Sequence, residues 1–253
     1  ENPARTGFAH LFEHLMFRGT RAVENFDLPV QMASGDNNAF TNNDYTDFYI
    51  TLPKDNLETA LWLESDRMEG LDITPAKLEA EKKVVIEEFR QRYLNQPYGD
   101  QTMLLRALAY KVHPYRWAAI GLATDHIAGA TLADVESFYR AHYRPSNAIL
   151  SISADMEEER MLELAEKWFA PLADHPSETA AIPQEPMQTQ ARRQEVERDV
   201  PASTVTIAYH MCARTKPDFY TADLVSDLLS GGDSGRLYTH LVKERNLLSS
   251  VNA

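Results

Sequence analysis

His10-Leu11-Phe12-Glu13-His14 is the stretch whose reading decides the fold and most of the chemistry. The residues around it, Phe8 to Phe17, are dense in Phe, Leu, Met and His, and Gly19-Thr20 closes the run. That pattern predicts a buried helix with a glycine stop. Residues four apart share a helix face, so His10 and His14 can grip one ion. Glu13 falls beside that face, near a water on the metal rather than opposite it. Two imidazoles plus a carboxylate suit zinc, and zinc brings the pKa of its water to about 7. Glu13 would then take the proton as general base. The order is the inverse of the more familiar His-Glu-x-x-His zinc helix. The competing reading is chance plus structural histidines, so a third ligand has to be found.

The helix opened by Thr74-Pro75, a cap followed by proline at the first helical position, offers one. It is expected to run to about Tyr93 and to break before Pro97. At about 100° per residue, Leu78, Val84, Val85, Phe89 and Arg92 define one stripe, with Glu81 and Glu88 inside it. Glu87 falls about 120° off its centre, towards solvent. A bare carboxylate on a buried stripe is costly unless it is paired or bound to a cation. Glu88 is therefore the natural third ligand, and Glu81 the partner behind a ligand imidazole. The alternative is that both acids pair with Lys or Arg across a helix interface.

Bulk properties narrow the function classes. The chain has 253 residues, 43% of them hydrophobic and 25% charged, which is ordinary globular composition. A net charge of −13 disfavours nucleic acid and anionic membrane as partners. Cys212 is the single cysteine, so no intrachain disulfide can form. No apolar run approaches the ~20 residues that span a bilayer, and no signal-peptide pattern is visible. His113 and His142 read as structural, and Ser234 lacks the context of a nucleophile.

Along the chain, Asn25 to Asn38 is turn-rich, with Ser34 to Asn37 the clearest loop signal. Tyr45 to Leu52 alternates as a strand does, and Asp55 with Glu58 reads as a capping box opening a helix that ends near Gly70. Helices are expected at Asp100–Val112, Thr131–His142, Glu157–Trp168 and Asp218–Leu229, and strands at Asn147–Ser153, Glu195–Val200 and Thr204–Met211. Pro171, Pro176, Pro183 and Pro186 mark an extended linker. The expected organisation is an α+β domain over 1–170, a linker over 171–191, and the start of a second domain over 192–253. Both ends suggest a piece of a longer protein.

Phe8-Ala9-His10-Leu11-Phe12-Glu13-His14-Leu15-Met16-Phe17-Arg18-Gly19-Thr20 resembles the signature of the M16 (pitrilysin/insulinase-like) metallopeptidases, of the bacterial or processing-peptidase-like type. Glu81-Lys82-Lys83-Val84-Val85-Ile86-Glu87-Glu88 resembles that family's second motif, in which a glutamate precedes the zinc-ligand glutamate by seven positions. The resemblance implies one zinc ion per chain, held by His10, His14 and Glu88. It implies a zinc metalloendopeptidase acting on peptides or unfolded segments. The implied fold is two related α+β halves of the LuxS/MPP-like type, each a mixed or antiparallel sheet packed by helices. Asn38-Ala39-Phe40-Thr41 resembles the edge-strand segment that holds a substrate peptide, which marks Asn38, Ala39 and Phe40 as substrate-binding. One departure stands out. Many members carry an Arg and a Tyr seven apart in the second half, where this chain has Val242 and Ser249. The expectation is a second M16-like subunit or fused domain that supplies them. Competing expectations are a non-catalytic scaffold subunit and a zinc hydrolase of small non-peptide substrates.

Overall fold

Gly7 opens the first helix, α1 (Phe8–Leu15), from the left-handed region at φ +92° in the computed structural model. A Cβ at this position would lie 2.4 Å from the Ile120 carbonyl oxygen, so only glycine fits. Glycine brings no capping side chain. The Glu1 carboxylate does that instead, accepting from the backbone N–H groups of Gly7 (3.2 Å) and Ala9 (3.0 Å). Phe8, Leu11, Phe12 and Leu15 are buried, and the Phe12 ring stacks on Phe138 at 5.0 Å and Tyr143 at 5.3 Å.

The structure describes residues 1–174 and 181–253. Part of the expected linker, Pro176 included, falls outside them. The chain forms two compact units, Glu1–Thr204 and Val205–Ala253. In the first, α1 is followed by α2 (Asp27–Met32), the hairpin β1 (Asp36–Thr41) and β2 (Thr46–Thr51), then α3 (Leu57–Glu69) and α4 (Pro75–Phe89). After these come α5 (Gln101–Ala109), α6 (Thr124–Ala128), α7 (Leu132–His142) and α8 (Glu158–Phe169). The main core gathers α1, α4 and the segment around Ile120, with Val135 of α7. A smaller cluster joins Val23, Phe26, Val30 and Leu63. The second unit holds α9 (Asp218–Ser230) and a π-helical turn at Tyr238–Glu244. No described helix is long and apolar enough to cross a membrane.

The Thr74 hydroxyl accepts from the Lys77 N–H at 3.2 Å, with Pro75 at the first helical position, so α4 starts where expected. It continues as a π-helical turn through Leu94. Its buried set is Leu78, Glu81, Lys82, Val85 and Phe89. Val84 is 44% exposed and the Arg92 side chain 66% exposed, so the expected stripe was too wide. The face turned to α1 is the three-and-four-spaced set, and Val84 lies one step round the helix from it.

Other expectations need correction. Asp36 and Asn37 belong to β1 rather than to a loop, and a six-residue helix, α2, sits in the turn-rich stretch. The Asp55/Glu58 capping box does not form. The chain enters α3 through a 3-10 turn at Lys54–Asn56, and Glu58 instead accepts from Trp168 Nε1 at 3.2 Å and pairs with Lys167. The strands expected at 147–153, 195–200 and 204–211 are not formed among the described residues. Ile149 is 98% exposed and Val205 85% exposed. A run of β-branched residues becomes a strand only when a second strand is paired along it, and no such ladder forms here among the described residues.

The described end of the expected linker, and residues 192–202, expected to open the second domain, make contacts within the first unit. The Glu185 carboxylate accepts from the backbone N–H groups of Lys111 (2.7 Å), Val112 (2.9 Å) and His113 (3.0 Å). Arg192 donates to the carbonyls of Leu108 and Ala109 at the end of α5, each at 2.9 Å. Arg198 reaches Asp100 at 2.8 Å, and Tyr98 donates to the Ala202 carbonyl at 2.7 Å. Residues 185–202 are thus fastened at four points along the 98–113 stretch.

Candidate metal centre

One turn of α1 and the last turns of α4 bring three donors together. The Nε2 atoms of His10 and His14 both face Glu88 Oε2, at 3.5 and 3.3 Å. One ligand atom from each residue lies within 4.8 Å of the other two. Glu88 is partly buried, while the Glu87 side chain is 52% exposed and pairs with Arg90. Of the two adjacent glutamates, Glu88 is the one that faces both imidazoles.

The donor set fits a tetrahedral zinc ion. With bonds of about 2.0–2.1 Å, donor atoms sit about 3.3–3.4 Å apart, close to the separations from Glu88 Oε2. His14 Nδ1 faces Glu81 Oε2 at 3.4 Å, which directs its proton to that side and leaves the Nε2 lone pair for a cation. His10 Nδ1 is buried with no hydrogen-bond partner among the described residues.

The electrostatics agree with a cation site. Burial alone would pull the His14 pKa down, but hydrogen bonds to Glu81 and Glu88 outweigh it and raise it to about 9. At neutral pH a proton therefore stands where a metal would bind. His10 moves the other way: burial depresses it more than the Glu88 charge lifts it. The hydrogen bond from His14 holds Glu88 below the usual carboxylate range.

Each carboxylate has a second partner that the sequence reading left as the alternative. Glu88 Oε1 pairs with Arg92 Nη2 at 2.9 Å, and Glu81 Oε1 pairs with Arg18 Nη2. Metal ligation and arginine pairing are thus not exclusive: one oxygen of each acid faces an imidazole and the other faces a guanidinium. The four-residue spacing from Glu88 to Arg92 on a helix could have revealed the first pair. Nothing periodic marks Arg18. Its place is set by Gly19, at φ +90°, where a Cβ would lie 2.4 Å from the Glu24 carbonyl oxygen.

Glu13 is half-buried and has no ion-pair or hydrogen-bond partner among the described residues. Its charge acts on His10 and on the buried Tyr143, so it stands close to the metal group without being tied down. A cavity of about 940 Å³ borders the site, lined by His14, Phe17, Arg18, Trp62, Lys77 and Glu81 among others.

Asn38, Ala39 and Phe40 lie on β1, which pairs antiparallel with β2 in the register Ala39 opposite Phe48. The bond from Asn42 N–H to the Tyr45 carbonyl (3.0 Å) sets the phase of the ladder. Residues 38 and 40 turn their N–H groups to β2, while those of Asn37, Ala39 and Thr41 point away from it. No other strand pairs with β1 among the described residues. The Ala39 N–H is taken by the side-chain oxygen of its neighbour Asn38 at 2.9 Å. Val242 lies in the Tyr238–Glu244 turn of the second unit, and Ser249 follows it. His113 Nδ1 accepts from the Tyr115 N–H at 3.1 Å, a local turn contact.

Residues 1–118 match the family model of insulinase (peptidase family M16), and residues 129–253 match that of the peptidase M16 inactive domain. The chain belongs to the M16 peptidase family. It is 33% identical to zinc protease PqqE of Helicobacter pylori over 99% of its own length and 57% of that protein's. It is 26% identical to a probable mitochondrial-processing peptidase subunit beta of Schizosaccharomyces pombe, again over 99% of this chain and 57% of that one. The crystal structure of a protease from Helicobacter pylori superposes with a TM-score of 0.87 at 31% identity, covering all of this chain and 62% of that one. The chain therefore spans little more than half the length of these M16 relatives. His10, Glu13, His14, Glu81 and Glu88 all fall within the insulinase match and none within the inactive-domain match.

Proposed function

We propose that this protein is a zinc-dependent endopeptidase acting on peptides or unfolded protein segments. The observation that carries the reading is the convergence of His10 Nε2, His14 Nε2 and Glu88 Oε2, with the unpartnered Glu13 on the same helix turn. A bound zinc ion supplies a Lewis acid that polarises the scissile carbonyl and acidifies water. The Glu13 carboxylate takes a proton from the water that adds to the carbonyl carbon. It returns that proton to the amide nitrogen as the C–N bond breaks. Glu81 holds His14 in the tautomer that presents Nε2. Asn38, Ala39 and Phe40 receive the substrate, which adds to β1 as a further strand, with main-chain hydrogen bonds supplying much of the affinity.

Val242 and Ser249 stand where, by the resemblance, many members carry an Arg/Tyr pair that contacts the substrate carbonyl. In this reading a second M16-like subunit, or a fused domain, provides it. Support comes from relatives named as the beta subunit of a processing peptidase. A monomeric full-length protein that cleaves peptides as fast alone as with any partner would overturn this part.

A set of three variants tests the core of the proposal. Glu88→Gln is expected to lose zinc, Glu87→Gln to keep zinc and activity, and Glu13→Gln to keep zinc while turnover falls by about 10²–10⁴. Zinc content and peptide cleavage are measured side by side. Loss of zinc from Glu87→Gln, or full activity in Glu13→Gln, would remove the assignment concerned. The match of residues 129–253 to an inactive domain favours a second reading, a scaffold subunit without turnover. That reading predicts zinc binding with no cleavage under any partner.

A further inference from the structure

We infer that Arg18 is a positioning residue for the metal group, acting through Glu81 on His14. The inference rests on the zinc reading above and adds a residue to it.

The Glu81 side chain is 1% exposed. A carboxylate buried to that degree is stable only when both oxygens are answered by donors or cations. Oε2 faces His14 Nδ1 at 3.4 Å. Oε1 is buried and takes no hydrogen bond among the described residues; its ion-pair partner is the Arg18 guanidinium. Arg18 itself is half exposed, and it lines the cavity that His14 and Glu81 also border. The order of contacts is therefore guanidinium, carboxylate, imidazole, metal position.

Geometry gives this chain a function that a surface ion pair lacks. Glu81 sits on α4 and His14 on α1, so the His14 ring is held from the neighbouring helix. Arg18 follows α1 by three residues, in the turn that Gly19 closes. By drawing Oε1 to itself, Arg18 fixes the carboxylate plane and so aims Oε2 at Nδ1. Without it the carboxylate is free to rotate about its last bonds, and the imidazole loses its fixed orientation. Arg92 does not share this function, because it touches the ligand carboxylate directly rather than the group behind an imidazole.

The test uses the full-length protein, stripped of metal and titrated with zinc against a chelator and with cobalt as a spectroscopic probe. Arg18→Ala is expected to weaken metal affinity about ten- to a hundredfold and to shift the cobalt absorption bands. Arg18→Lys restores most of the loss, since an ammonium can also meet Oε1. In the Glu81→Gln background, Arg18→Ala adds little, because the arginine acts through that carboxylate. Arg160→Ala, which removes an exposed arginine paired with Glu163, leaves affinity unchanged. Unchanged affinity in Arg18→Ala overturns the inference, as do additive losses in the double variant or an equal loss in Arg160→Ala. Should Arg18→Ala fail to fold, Arg18→Gln is read the same way. A wild-type protein that binds neither zinc nor cobalt would instead overturn the zinc reading, so the two failures are distinguishable.

Discussion

At the scale of single residues, His14 is the most perturbed member of the site, because two carboxylates face its two nitrogens. Its metal-free pKa of about 9 means that zinc has to displace a proton throughout the neutral range. The sign follows. Below about 9 the competing proton is bound, so this group weakens apparent zinc affinity by about tenfold for each pH unit of acidification. Above that value its contribution levels off. Competition titrations at about pH 6 and about pH 8 are expected to show this slope, with proton release on zinc addition, and a flat profile would contradict it. His10 and His14 were legible because a helix fixes their spacing, and Glu88 because burial separates it from Glu87. Arg18 was not legible, since its contact with Glu81 joins two elements and depends on a glycine turn that no periodicity encodes.

At the scale of elements, α1 and α4 are positioned by different devices. The start of α4 is written locally, in Thr74 and Pro75. Thr74→Ala removes the acceptor for the Lys77 N–H and is expected to cost about 1 kcal/mol in chemical denaturation. No change in the denaturation midpoint would show that the cap is replaced by water. The start of α1 is written at a distance, since Glu1 caps it across the Gly7 bend. Strands were the least legible elements. Tyr45 to Leu52 alternates and pairs, because β1 stands beside it. The runs at 147–153 and 204–211 carry the same residue types and join no sheet among the described residues, because a ladder is a property of two segments and not of one.

At the scale of the whole molecule, the linker is the main surprise. Its Pro-rich composition suggested an extended linker over 171–191, yet its described end and the residues that follow, 185–202, make contacts within the first unit, which runs to Thr204. Composition reports the lack of a core-forming pattern, but it is blind to single polar side chains that meet backbone groups. Glu185 is partly exposed to solvent. Desolvation by the surrounding atoms raises its pKa, but the hydrogen bonds from the backbone N–H groups of His113, Val112 and Lys111 together outweigh it and bring it down to about 2. A depressed carboxylate stabilises above its ordinary pKa of about 4.3 and loses that contribution as pH falls through the lower value. The fastening is therefore expected to hold at neutral pH and to loosen between about pH 4 and about pH 2. Glu185→Gln is expected to speed proteolytic nicking around residues 181–200 at neutral pH without altering zinc content. Equal nicking rates in the two proteins would show that Arg192 and Arg198 suffice.

The hairpin edge carries one more consequence. An edge open to any extended backbone also invites the wrong one, and unpaired edges are where folded proteins begin to clump. Here the Asn38 carboxamide lies over the Ala39 N–H and keeps that donor occupied at rest. Lifting it costs about 1 kcal/mol, the net worth of one such hydrogen bond. A polypeptide that lies along the full length of β1 regains that amount several times over, whereas a stray contact of one or two residues does not. Under the proposed mode of substrate binding, the side chain would work as a removable cover that occupies this donor until an extended backbone displaces it.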